Sequence, residues 1–266
     1  MDKLKPPTGL YIVSTPIGNL KDITLRALNI LGSVDEILAE DTRTAAKLLN
    51  AHNIKARITP YHDHNGMKRR PDILKRLAEG QSFALISDAG TPLVSDPGWK
   101  LVEAALEAGL PIIPLPGASA LLAALVVSGL PSDRFAFVGF LPVKSAARRK
   151  VLTEYKALRS TLIFYEAGPR LASSLADMCD ILGADRRAAV ARELTKMFEE
   201  TRRDRLSELA QYYADTPRPK GEIVVLVGPA EEKASLNLED LRAEIRMALQ
   251  EKPVKIVAQE LAAHYD

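Results

Sequence analysis

Two observations predict an α/β fold. Short β-branched, continuously apolar runs alternate with amphipathic helical segments along most of the 266 residues, and Gly- and Pro-rich loops fall where the runs end. Strands apolar on both faces belong to sheets covered by helices on both sides, so a mostly parallel sheet is expected. A second such series starts after Gly129-Leu130-Pro131. The chain therefore divides into an N-terminal α/β domain over residues 1–117, a second over 118–230, and a short C-terminal helical segment over 231–266.

In the first half, Leu10 to Val13 reads as a strand, Ile23 to Leu31 as a helix capped by Asp22, and Ile37 to Ala39 as a strand followed by a helix over Thr42 to Ala51. Arg57 to Thr59 and Phe83 to Ile86 are further strands separated by a helix from Gly66 to Ala78. Pro97 to Ala108 is helical, and Pro111 to Ile113 is the fifth strand. The second half carries strands at Phe135 to Phe140, Thr161 to Tyr165, Ala188 to Ala191 and Glu222 to Val227. Its helices are Ala146 to Leu158, Pro169 to Leu182 and Leu206 to Ala214, and Met197 to Arg203 could be one more strand. Past Pro229 the composition turns to charge-rich helix, Leu238 to Leu249 and Val254 to His264, too little to fold alone.

Composition narrows the function classes. Lys plus Arg minus Asp plus Glu is 36 − 34 = +2, so no global field draws the chain to nucleic acid and any basic footprint is local. A single Cys179 in an apolar helical run allows no intramolecular disulfide and suits a reducing cytoplasm. The start of the chain lacks the apolar core of a signal peptide, and the longest apolar stretch, Ala118 to Val127, is too short to span a bilayer, so a cytoplasmic protein with no membrane partner is expected.

Open α/β sheets bind ligands outside the carboxyl ends of their strands. Three loops fall there: Thr15-Pro16-Ile17-Gly18-Asn19, Ser87-Asp88-Ala89-Gly90-Thr91-Pro92 and Pro114-Leu115-Pro116-Gly117-Ala118-Ser119. Gly90 and Gly117 permit close backbone approach, and the prolines stiffen the loops. No G-x-G-x-x-G follows the first strand and no GxxxxGK[ST] occurs, which removes the common dinucleotide and nucleoside triphosphate sites.

These loops, with Ala39-Glu40-Asp41-Thr42-Arg43 and Ala191-Arg192-Glu193-Leu194-Thr195-Lys196, resemble the bacterial small-subunit ribosomal RNA cytidine ribose-2′-O-methyltransferases of the tetrapyrrole-methylase superfamily, over about residues 8 to 230. The Gly-Thr-Pro and Pro-Gly-Ala-Ser loops are shared across the superfamily. The Glu-Asp-Thr-Arg and Arg-Glu-Leu-Thr-Lys strings are narrower and point to the RNA-modifying branch. The resemblance implies a homodimer with S-adenosylmethionine in a cleft between the two α/β domains. It places the cofactor against Pro16, Gly90, Thr91, Val94, Ser119 and Ala120, and against Phe164, Tyr165, Ala191 and Pro229. The substrate it implies is ribosomal RNA in the assembled small subunit. Relatives usually continue into another short helix past a segment like Val254 to His264, so the C-terminal module is expected to be shortened.

Methyl transfer to a ribose hydroxyl needs alignment and a group to take the hydroxyl proton. Charged residues after strand ends are the candidates: Lys196 with Glu199 near the hydroxyl, and Asp41 and Arg43 after the second strand, Arg43 for a phosphate. The same groups read equally well as an ion-pair network at the domain seam. Lys68, Arg69 and Arg70, and Arg148, Arg149 and Lys150, are basic clusters able to contact RNA phosphate. His62-Asp63-His64 has a spacing that permits metal binding, but methyl transfer needs no metal and a polar surface role is preferred. The competing readings are a tetrapyrrole-type small-molecule methyltransferase and a ribosome-binding protein without turnover.

Overall fold

The computed structural model describes residues 5–230 and 238–265. The chain up to Pro229 forms one compact unit and Ala230 onward a second. The first unit holds two five-stranded sheets.

The first sheet contains β1 (Gly9–Val13), β2 (Glu36–Ala39), β3 (Ile58–Pro60), β4 (Ser82–Ile86) and β5 (Ile112–Leu115), ordered β3-β2-β4-β1-β5 with every pairing parallel. β1, β2 and β4 are buried along their whole length, as unbroken apolar runs between two helical layers should be. One face packs Val13, Ile37 and Ala84 against α1 (Leu25–Leu31) and α2 (Thr42–Ala51). The other packs Leu10, Leu38 and Phe83 against α3 (Asp63–Ala78) and α4 (Trp99–Glu107). The cap of α1 is Thr24, whose hydroxyl accepts the Ala27 N–H at 3.1 Å, and not Asp22, which sits in a short 3-10 turn at Leu20–Asp22. α3 starts three residues earlier than its periodicity suggests. Asn65 Oδ1 accepts the His62 N–H at 3.0 Å, so Asp63 and His64 form a first helical turn instead of a loop.

The second sheet departs from the expected parallel arrangement. β6 (Phe135–Phe140), β7 (Thr161–Ala167), β8 (Arg187–Arg192), β9 (Glu200–Arg205) and β10 (Glu222–Val227) are ordered β6-β7-β10-β8-β9, and only β6 and β7 run parallel. The unassigned stretch after Met197 supplies β9. Because it returns directly beside β8, it forms a hairpin and reverses the sheet's direction, which hydrophobic runs alone do not encode. Leu162, Phe164, Val190, Val225 and Val227 face α6 (Ser145–Tyr155), α7 (Leu171–Leu182) and α8 (Leu206–Asp215). Ile163, Tyr165, Ala189, Ala191, Val224 and Leu226 face the opposite way.

That opposite face packs on α5 (Ala120–Ser128), formed from the apolar stretch read in the sequence only as a run too short for a membrane span. Ile17, from the loop after β1, enters the same cluster beside Leu194, so one side chain of the first half is built into the core of the second. The C-terminal unit contains α9 (Leu238–Glu251) and α10 (Val254–Tyr265), packed on each other. Among the described residues no helix is long and apolar enough to cross a membrane.

Candidate functional site

The carboxyl end of the first sheet opens into a cavity of about 450 Å³, within the range of small-molecule sites. The loops predicted to hold a ligand form one of its walls. Thr15 and Gly90 exchange two backbone hydrogen bonds, at 2.8 and 3.0 Å, tying the first loop to the second. Gly90 has φ +80°, a conformation most L-residues resist. A Cβ on Gly117 would lie 2.8 Å from that of Ser14, so this glycine permits loop to approach loop.

Seven expected contacts line the cavity: Gly90, Thr91, Val94, Ser119, Ala120, Tyr165 and Ala191. Three do not. Pro16 lines a neighbouring cavity of about 270 Å³ beyond Ile17. Phe164 is fully buried on the helix-covered side, because neighbours in a strand point to opposite faces and Tyr165 takes the cleft side. Pro229 follows the far end of β10, whose start, Glu222 to Val224, lines the cavity; at about 3.3 Å per residue that is on the order of 20 Å away.

Residues absent from the expected set complete the walls. Phe140 is 58% exposed at the cavity wall, its ring edge-on to Tyr165 at 5.5 Å, and Phe137 packs on the other side at 4.8 Å. Of these, Phe140 and Tyr165 line the cavity and give its wall apolar aromatic surface. Five acidic residues line the same cavity; Arg170 and Ser174 hold Glu166 and Lys196 holds Glu222, which leaves Glu40, Asp88 and Asp96 without an ion pair among the described residues. Burial, then the nearby Glu40 charge, pushes the Asp96 carboxyl up to about 6 against a stabilising hydrogen bond from Ser87. Burial, then Asp88 and Asp63, also raises Glu40, with His62 opposing. Crowded, partly buried carboxylates of this kind favour a cationic ligand. Glu40 and Asp88 follow strand ends within Ala39 to Arg43 and Ser87 to Pro92, but Asp96 lies beyond the second of these, and only the fold shows that the three converge.

The residues expected to do chemistry sit elsewhere. Lys196 lines the smaller cavity, its Nζ donating to Glu193 Oε1 at 2.7 Å and Glu222 Oε2 at 2.9 Å. Burial disfavours its charge, yet these two carboxylates outweigh it and hold the ammonium above the ordinary lysine range. A committed cation makes a poor base. Glu199 accepts the Thr195 N–H at 2.6 Å and so ties the loop to itself. Thr195 Oγ1 in turn accepts the Asn19 N–H at 3.1 Å, joining the two halves. Glu193 and Thr195 both hold positive φ, +52° and +66°, strain that a β-branched threonine resists and this mesh of bonds maintains. Asp41 caps α2, accepting the Arg43 N–H at 2.8 Å, and Arg43 Nε and Nη2 grip the same carboxylate. The Arg43 side-chain hydrogen bonds hold the Asp41 carboxyl down at about 2.

The two basic clusters separate. Arg148 is buried and bonded to Asp177, and Arg149 pairs with Asp177 and Asp180, so the second cluster is largely a structural knot joining α6 to α7, with only Lys150 exposed and unpaired among the described residues. Lys68 and Arg69 on α3 are exposed and make no ion pair among the described residues, while Arg70 is half-buried. His62 and His64 stack edge-on with ring centroids 5.9 Å apart. Among the described residues no group of three or more His, Cys, Asp or Glu is placed to hold a metal ion.

Residues 9–210 match the family described as Tetrapyrrole (Corrin/Porphyrin) Methylases. A Mesorhizobium japonicum protein named ribosomal RNA small subunit methyltransferase I is 56% identical over 225 residues, covering 85% of this chain and 76% of the relative. An Escherichia coli O157:H7 protein of the same name is 47% identical over 251 residues, 94% and 87% of the two chains. Among solved structures, Thermus thermophilus uroporphyrin-III C-methyltransferase complexed with S-adenyl homocysteine superposes with a TM-score of 0.58 at 20% identity, over 83% of this chain and 97% of that one. A diphthine synthase reaches 0.65 at 16% identity, over 82% and 89%. At such identities these structures speak to the fold.

Proposed function

The chain belongs to the tetrapyrrole methylase family, alongside the ribosomal RNA small subunit methyltransferase I proteins, and from that premise we propose that it methylates the ribose 2′-hydroxyl of a cytidine in small-subunit ribosomal RNA. The cofactor is S-adenosylmethionine, which supplies an electrophilic methyl group on a sulfonium. The residues present fit it. Phe140 and Tyr165 suit a purine, and the Asp88 and Asp96 carboxylates suit a sulfonium and an ammonium. The amide groups opening α5 at Ser119 and Ala120, where no side chain caps the helix, suit a carboxylate.

The observation that carries the RNA reading is the Glu193 to Lys196 loop, fixed by Glu199, tied to Asn19 of the other half, and contributing Lys196 to the wall of a second cavity next to the first. The two cavities share Ile17, Asp88, Ala89 and Glu222 as walls, so a donor in one and an acceptor in the other can meet at that boundary. Lys68, Arg69 and Lys47, exposed and without ion pairs among the described residues, supply cationic surface for phosphate on the same half. We take residues 1–117 as the half that receives RNA and 118–230 as the half that completes the cofactor cavity. The proposed assembly is a cytoplasmic homodimer, which the exposed Leu122 and Val126 of α5 support.

The test is incubation with labelled S-adenosylmethionine and purified small subunits, followed by digestion to nucleosides. Label on a cytidine ribose supports the reading. Label only with an added porphyrinoid would favour the small-molecule alternative.

A further inference from the structure

Five acidic residues line the larger cavity, and four have partners: Glu166 is held by Arg170 and Ser174, and Glu222 by Lys196. Asp88 Oδ1 accepts the Asp41 N–H at 3.1 Å, and Asp96 is hydrogen-bonded by the Ser87 side chain. Glu40 differs. Among the described residues no donor bonds its carboxylate and no cation forms an ion pair with it, although it directly follows β2 and lines the cavity. The ionisable groups facing it are Asp88 after β4, Asp96 before α4, Asp41 at the cap of α2, and His62 and Asp63 at the start of α3. Four are acids, and the one base, His62, has a buried Nδ1 without a hydrogen-bond partner. Glu40 is thus a half-buried carboxylate without a bonded partner among the described residues, beside Asp88, which walls both cavities, and in surroundings that favour gaining a proton.

The alternatives in reach are poorer acceptors. Lys196 is a paired cation, Glu199 is bound to backbone, and burial pushes the Tyr165 hydroxyl up. We propose that Glu40 is the catalytic residue that takes the proton of the acceptor hydroxyl. This assignment rests on the methyltransferase reading above. The hydroxyl oxygen forms the new bond to the methyl carbon, and the carbon–sulfur bond breaks with its electron pair staying on sulfur, which passes from sulfonium to neutral thioether. The hydroxyl proton moves to the Glu40 carboxylate and from there to solvent.

The experiment compares wild type, Glu40→Gln and Glu40→Asp in single-turnover and steady-state methylation of purified small subunits, with S-adenosylmethionine affinity measured by calorimetry. General-base removal costs roughly 10²- to 10⁴-fold. The expected result is a fall in kcat of at least about 100-fold in Glu40→Gln, with KM for subunits and cofactor affinity within about threefold, as for an interaction made in the transition state. The acid limb of the wild-type pH–rate profile should vanish in Glu40→Gln, and Glu40→Asp should recover part of the rate. Retained cofactor affinity shows that the variant is folded. An active wild type with kcat unimpaired in Glu40→Gln overturns the assignment alone, as does loss of cofactor binding in step with rate in both variants. A wild type that transfers no label overturns the functional reading itself.

Discussion

Asp96 shows how a single carboxylate couples stability to binding. Its folded pKa of about 6 lies above the ordinary 3.8, so the folded state holds a proton that the unfolded state has released between those values. By linkage its ionised form destabilises the ligand-free protein above pH 6, and that penalty is relieved as pH falls from 6 towards 4. A cationic cofactor reverses the preference, because it needs the charge. Asp96→Asn is therefore expected to stabilise the ligand-free protein at pH 7 by about 1–2 kcal/mol while weakening S-adenosylmethionine binding, and wild-type affinity should fall as pH drops through 6. Thermal melts and calorimetry at pH 5 and pH 7 check both signs; unchanged affinity in the variant would remove Asp96 from the cofactor site. Glu199 poses a simpler question. If it serves as an acceptor for the Thr195 N–H, a neutral amide oxygen suffices, so Glu199→Gln should keep near-wild-type turnover and Glu199→Ala should lose it. Equal loss in both would restore a charge-dependent role.

At the scale of the element, the two basic clusters look alike in sequence and differ in the fold. Arg148 is 4% exposed and held by Asp177, a pair whose rupture leaves a buried charge alone. Arg148→Ala should cost about 3–5 kcal/mol, read as a lowered denaturation midpoint. Arg69→Glu on α3 should leave stability nearly unchanged but weaken subunit binding and flatten its salt dependence. A salt series on Arg69→Glu with an unchanged slope would move the RNA surface off α3. Charge runs announce cations, and only the facing helix decides whether a carboxylate takes them; Asp177 lies 29 residues from Arg148.

The same limit governs what else was legible. Apolar runs located every strand of the first sheet, most plainly the inner strands β1, β2 and β4, which are buried along their whole length. In the second sheet β8 and β9 form a hairpin, and direction is invisible to a hydrophobic pattern. Alternation along β7 assigns Tyr165 to the cleft and Phe164 to the core once one face is known, but sequence alone does not say which. The Gly-Pro loops line the larger cavity, whereas Asp96 and Glu40 needed the strand ends brought together before their mutual repulsion could be seen.

For the whole molecule, the cavity draws walls from both sheets, and Ile17 and the Asn19 to Thr195 bond cross between them. Ligand binding should therefore stabilise the compact unit as one cooperative body, by about 2.7 kcal/mol at a cofactor concentration 100 times Kd, seen as a single shifted melting transition. The central claim is that this cavity serves ribose methylation of small-subunit RNA. The most direct measurement is nucleoside mapping after incubation of wild-type protein with labelled S-adenosylmethionine and small subunits lacking the modification. The account predicts one labelled nucleoside, a cytidine methylated on its ribose. Label on a base, on a protein or in no macromolecule would contradict it.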